Sequence, residues 1–300
     1  MLSQHREPFK GRPRFRRITI PVGPARIIVA MGDTKHHLRI VEGRPWKQAL
    51  VCALNPEAPY QPWKGLDTVT PGDTVLVVID TDPRTVLCAF TWDGLLDGRH
   101  AIAGNTCGRD RPLQSLTKVE DAVGISLAGD RVLNPRTARA LVTTISNSDF
   151  TTPSDRAGHS SVAIGRIMVS ANRSCTLCHD RVAIASEQDV DRLVHTAEVA
   201  EVYARADWPA LLCPDCAQAM SSGGFTAVVD LVFSRHPACP RCSARQACRI
   251  GYGLPHARRA MNLAPWESLG GCVVLEPGWH CRSCGNKWDS SHLWPNSTNR

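Results

Sequence analysis

The sequence predicts an α+β chain: a small N-terminal β-barrel-like domain followed by two small cysteine-anchored modules. Three observations carry that prediction. The first half is a series of short β-branched runs broken by Gly and Pro, cysteine usage changes midway, and the second half contains four Cys-x-x-Cys pairs. The expected boundaries are a basic arm at 1–17, a β-rich domain at 18–147, a linker at 148–160, a first cysteine module at 161–235 and a second at 236–300.

Taken in order, Arg17–Pro21 and Ala25–Met31 read as short strands. The clearest hairpin is PGDTVLVVIDTDPRTVLCAFTW: a turn at Pro71-Gly72-Asp73, a strand over Thr74–Ile79, a turn over Thr81–Arg84 and a return strand over Thr85–Trp92. Pro135–Ile145 has helical spacing, and short strands with few helices imply a small barrel. The polar stretch SNSDFTTPSDRAGHSS reads as a linker. Beyond it, Ser161–Ser170 reads as a strand leading into Cys175. Asp189–Ala204 fits either helix or hairpin, and Cys213–Met220 fits a helix opening at its cysteine pair.

The chain has 300 residues and 43% hydrophobic content, enough for two or three domains with real cores. Its formal net charge is +7, carried mostly by Arg, which argues against an acidic, disordered chain. No uncharged apolar run reaches bilayer-spanning length, and Met1–Arg17 lacks the apolar core of a signal peptide. The expected compartment is cytoplasmic, with no membrane partner; thiols stay reduced there, and paired cysteines mean metal or redox chemistry.

The pairs are Cys175 and Cys178, Cys213 and Cys216, Cys239 and Cys242, and Cys281 and Cys284. Two intervening residues let both thiolates face one ion while the turn's N–H groups bond to sulfur. Two such pairs supply four soft ligands in tetrahedral array, which suits zinc and leaves no open position. Two structural Zn²⁺ ions are therefore expected, supplying folding energy that modules this small need. Sequential pairing closes shorter loops than an interleaved cross-brace and is favoured on that ground, with the cross-brace still open. Cys248 and Cys272 read as core or spare thiols.

The segment from Cys239, ending GWHCRSCGNKW, resembles a zinc ribbon, with Gly285 permitting the left-handed turn after the last cysteine and Trp279 and Trp288 covering the knuckle. The segment Cys175–Met220, with RLVHTAEV and ADWPALLCPDCAQAM, resembles the treble-clef scaffold of HNH nucleases with a four-Cys zinc site. With His195 aligned to the family's first metal-binding residue, the general-base position falls on Thr196. The family's Asn falls on Trp208 and its terminal His on Ala217. None of the three can do the corresponding chemistry. The resemblance thus implies a scaffold kept for its zinc and its shape, with no catalytic residues. A surviving nuclease would need His195, His179 or His159 to rebuild a metal site; Asp189 and Asp191, candidate metal ligands for it, read instead as solvated surface.

In the first half, the run WKGLDTVTPGDTVLVVID with its return VLCAF resembles the PUA-like barrels that include EVE and ASCH domains. That resemblance implies RNA binding or capture of a flipped, modified base, with Trp46, Trp63, Trp92 and Asp93 as pocket residues. Arg12, Arg14, Arg16 and Arg17 in the basic arm are candidate phosphate contacts. The functional expectation is a non-catalytic, zinc-containing nucleic-acid-binding protein that senses modified bases, with DNA favoured over RNA. A modification-dependent HNH-type endonuclease is the first alternative. A zinc-finger scaffold that meets a protein partner, with Trp279, Trp288 and Trp294 in one patch, is the second.

Overall fold

The hairpin read from sequence is the centre of a six-stranded sheet. In the computed structural model β1 is His36–Gly43, β2 Trp63–Lys64, β3 Thr74–Ile79, β4 Thr85–Thr91, β5 Gln114–Ser115 and β6 Arg131–Leu133. The order is β2-β1-β3-β4-β5, and β6 pairs with the other end of β1, from His36 to Leu38. The structure describes residues 36–55, 57–95, 97, 99–102, 113–129, 131–146, 153–198, 207–253, 263–272 and 278–289. All belong to the unit Lys35–Arg300. The expected strands over Arg17–Pro21 and Ala25–Met31, the basic arm, Cys107 and Trp294 lie outside the described residues.

The sheet is open, which corrects the expected barrel. Strands β1 and β3 run parallel, Leu38 opposite Thr74 through Gly43 opposite Ile79, and are joined by a crossover through helix α1, Trp46–Leu54. Helices then cover both faces, so no closure is needed to bury them. Strand β3 is buried at all six positions. Val75, Val77 and Ile79 face α1, whereas Leu76 and Val78 face helices α2 (Leu116–Val123) and α3 (Pro135–Ser146). A bulge between Val77 and Val78 gives β4 one extra residue, which puts both Leu87 and Cys88 on the α1 side. The uninterrupted apolar runs TVLVVI and TVLCAF are the signature of two-sided burial rather than of a barrel wall.

The turn at Asp73 has a defined job. Its Oδ2 accepts from the Thr70 N–H (2.8 Å), the Thr70 hydroxyl (2.9 Å) and Arg39 Nε (3.2 Å), with the residue 3% exposed. Burial pushes its carboxyl up, but the Thr70 bonds and Arg39 outweigh this and hold it below its ordinary value.

Ser161–Ala171 is a helix, α4, and not the strand expected there. Its β-branched Val162, Ile164, Ile167 and Val169 imitate a strand, but the Ser160 hydroxyl caps the Ala163 N–H at 3.2 Å. The helix is apolar nearly all round because it lies between α1 and the first cysteine module. Close approach requires Gly165, where an added Cβ would fall 2.5 Å from Leu113 Cδ1 and 3.1 Å from Leu50 Cδ1. Arg166 ties the same helix to the Leu113 carbonyl (3.0 Å) and the Asp155 carbonyl (2.9 Å).

After α4 come α5 (Glu187–Leu193), β7 (Val194–His195), β8 (Ala210–Leu211), α6 (Pro214–Ser222) and α7 (Val228–Arg235). The ambiguous stretch from Asp189 is thus helix and then hairpin as far as it is described. A second sheet, β10-β9-β11-β12, is formed by Ala247–Gly251 (β9), Glu267–Leu269 (β10), Trp279–Cys281 (β11) and Lys287–Trp288 (β12). One buried cluster runs without a break from Val41 and Val75 through α1 and α4 to Cys175, Cys213, Cys216 and Ala264. Polar contacts reinforce this contact of sheet and module, with Lys47 Nζ 2.6 Å from Asp191 and Gln48 Nε2 2.7 Å from Glu187. Among the described residues no helix is long and apolar enough to cross a membrane.

Candidate metal centres

The four cysteine pairs converge into two clusters, Cys175, Cys178, Cys213 and Cys216, then Cys239, Cys242, Cys281 and Cys284. Within each, the sulfurs all lie within 4.8 Å of one another. This is the sequential pairing that loop closure favours, not the cross-brace.

Three knuckles share one local geometry. Cys175 accepts the His179 N–H (3.0 Å), Cys239 the Ser243 N–H (2.8 Å) and Cys281 the Gly285 N–H (2.8 Å), each through its carbonyl. The fourth residue on is left-handed in every case, with φ of 65° at His179, 59° at Ser243 and 72° at Gly285. Gly285 plays the part expected of it, and His179 is revealed as the corresponding turn residue of the first knuckle. The fourth pair is built differently. Cys213 is the N-cap of α6, its sulfur accepting from Cys216 N at 3.5 Å, and Pro214 occupies the first helical position.

The donor sets fit a soft, four-coordinate divalent cation. Metal–sulfur bonds of about 2.3 Å in a tetrahedron put sulfurs about 3.8 Å apart. Cys178 and Cys213 are 3.6 Å apart, Cys239 and Cys284 3.6 Å, and Cys242 and Cys281 3.7 Å. The thiols' acidities point the same way. Burial raises Cys239, but N–H bonds from Cys242 and Arg241 bring it down to about 6. Cys242, despite the Ala244 N–H, is pushed up to about 12 beside the Cys284 sulfur. In the first cluster Cys175 is lowered by the N–H groups of Cys178 and Cys213 against its burial, whereas burial raises Cys178 and Cys216. Four sulfurs so close cannot all be thiolates without a cation among them. Arg235 adds a positive charge, its Nη1 lying 3.7 Å from Cys216 Sγ. Cys248 is fully buried in β9 and its thiol bonds to the Pro265 carbonyl at 3.3 Å; Cys272 is exposed.

The positions aligned with nuclease catalysis are all engaged in packing or bracing. His195, on β7, donates from Nε2 to Asp207 Oδ2, and Asp207 Oδ1 accepts the N–H groups of Trp208 and Val228, both at 2.7 Å. Asp207 therefore ties the β7–β8 hairpin to the start of α7. Burial raises its carboxyl, but the His195 and backbone bonds hold it below the usual range. Thr196 bonds to His159 Nδ1 at 2.6 Å. Trp208 is 7% exposed, with its ring 5.9 Å from that of Trp266 and 5.8 Å from the Arg156 guanidinium. It thereby joins the two cysteine modules. Ala217 packs against the core from α6. Asp189 completes a capping box with Ser186, and Asp191 pairs with Lys47. Sequence reasoning missed Asp207; its only signal was an acid directly preceding Trp208.

The candidate base pocket is not gathered at one place. Trp46 opens α1, half-buried with Lys47 Nζ 5.6 Å from its ring, and Trp63 is buried on β2 with no partner for its Nε1 among the described residues. Both lie at the Gly43–Ile79 end of the sheet. Trp92, whose ring is 6.5 Å from Phe90, and the exposed Asp93 follow β4 at the Thr74–Thr91 end. The length of β3 separates the two pairs, about 17 Å at about 3.3 Å per residue. Arg12, Arg14, Arg16 and Arg17 lie outside the described residues.

Comparison with protein-family models, curated proteins and solved structures returns no match to the chain.

Proposed function

We propose that this chain is a non-catalytic nucleic-acid-binding protein whose two four-cysteine clusters each hold a structural zinc ion. The modules correspond to a treble clef and a zinc ribbon in this reading. Sulfur-only ligand sets leave no coordination position for substrate, so the metal acts on the fold and not on a bond. The observation that carries nucleic-acid binding is the charge distribution. Residues 236–300 contain eight Lys and Arg against three Asp and Glu, a large share of the chain's net +7. A mobility-shift titration across salt concentration tests this reading: DNA binding that weakens steeply with salt supports it, and no shift at low salt ends it. Base sensing, in this account, draws on Trp46 and Trp63 or on Trp92 and Asp93, not on all four. Comparing methylated with unmodified duplexes tests it.

The His195–Asp207 pair favours one other reading, a metal-dependent nuclease in which His195 acts beside the hairpin. Nicking of methylated or unmodified DNA with Mg²⁺ or Mn²⁺, abolished by His195→Ala, would establish it.

A further inference from the structure

The second sheet presents two chemically different faces. Trp279 stands opposite both Trp288 and Arg249 in register, so these three share one side. His280 stands opposite Lys287 and Cys248, and these share the other. Arg282, two residues beyond His280, enters the last knuckle turn, and the Ser268 hydroxyl lies 3.3 Å from His280 Nδ1. Arg282 and Lys287 are exposed, and neither pairs with a carboxylate among the described residues. Glu267 is on the opposite side, in register with Arg249.

Lys287, the His280 imidazole and the Ser268 hydroxyl on one side of the sheet, with Arg282 exposed in the adjoining knuckle turn, form a surface for an anion with several oxygens. Neutralising the thiolates of the second cluster explains at most part of this charge. Lys287 lies on β12, beyond the knuckle turn that carries the ligands, and its side chain is solvent-exposed.

We propose that the face formed by His280, Arg282, Lys287 and Ser268 is the contact surface for the phosphodiester backbone of DNA. The proposal rests on the nucleic-acid reading above and names the part of the chain that meets the phosphates. Contacts of this kind position a duplex without reading its bases, so the loss on mutation is the same for every sequence.

The test uses the full-length, zinc-loaded protein and a short fluorescent DNA duplex, with affinity measured over a range of salt concentrations. Each phosphate contact contributes about 0.9 to the slope of log affinity against log salt. Arg282→Gln with Lys287→Gln is expected to reduce the slope by about 2, equally on methylated and unmodified duplexes. Arg282→Lys with Lys287→Arg is expected to keep the wild-type slope. Arg136→Gln with Arg139→Gln removes as much charge from exposed positions on α3 and is expected to leave the slope unchanged. Zinc content, measured for every variant, separates lost contacts from a lost fold; if the glutamine pair loses zinc, the single Lys287→Gln variant carries the test, with a slope reduction of about 1. Wild-type protein that binds with a slope unmoved by these variants overturns the face and leaves the nucleic-acid reading standing. An equal loss in the α3 variant also overturns it, in favour of net charge alone. Wild-type protein that fails to bind at low salt overturns the underlying reading.

Discussion

Asp207→Ala separates a structural brace from a catalytic pair. The substitution removes the acceptor of two backbone N–H groups, Trp208 and Val228, at residues 7% and 0% exposed, and of His195. An orphaned buried donor costs about 1–3 kcal/mol. The Asp207 side chain is 22% exposed, so water can reach part of the vacated space and the lower half of that range applies. The expected loss is about 2–4 kcal/mol of unfolding free energy. Asp207→Asn keeps an oxygen for both N–H groups and is expected to cost about 1–2 kcal/mol, as is His195→Ala, which removes one charge-assisted bond that is partly open to water. The pH dependence has a definite sign. The folded carboxyl is depressed, so its contribution is present above the unfolded value of about 3.9 and is lost as pH falls through the lower folded value. Chemical denaturation at neutral pH and again in acid measures both effects. Equal stability of wild type and Asp207→Ala at neutral pH would refute the bracing role.

Two other perturbations probe different links. Cys213→Ser and Cys284→Ser are expected to differ: each loses one metal equivalent, but the first cluster lies in the core shared with the N-terminal sheet. Structural zinc contributes about 10–16 kcal/mol, comparable to a whole domain's stability of about 5–15 kcal/mol. Cys213→Ser should therefore abolish cooperative unfolding, whereas Cys284→Ser should leave the sheet folded; near-UV circular dichroism with metal analysis distinguishes them. At Gly165→Val the new side chain meets Leu113 and Leu50 at or below contact distance, so overpacking of about 1–3 kcal/mol or more outweighs the helix-propensity gain over Gly of about 0.5 kcal/mol or less, and the denaturation midpoint should fall.

What the sequence revealed followed the range of the interaction. The Thr74–Ile79 and Thr85–Thr91 hairpin and the helix from Pro135 are set by neighbouring residues and were legible. The pairing of the cysteines was legible because short loops close more readily, and the structure brings them together in that way. Ser161–Ala171 was misread because its β-branched residues serve a helix buried on several sides, a fact known only once Leu50 and Leu113 are in place. The barrel was misread for a related reason: Val75 and Leu76 both look like core, but nothing local says that separate helices cover them. Asp207 could not be read at all, since His195 and Val228 meet it only when the hairpin closes against α7.

The account's central claim is that each cluster is a closed, metal-filled site. Elemental analysis of purified protein, together with thiol alkylation before and after chelation, tests it most directly. Two zinc ions per chain are expected, with Cys175, Cys178, Cys213, Cys216, Cys239, Cys242, Cys281 and Cys284 protected until the metal is removed. Protein that is folded and free of metal, with those same thiols open to alkylation, would contradict it.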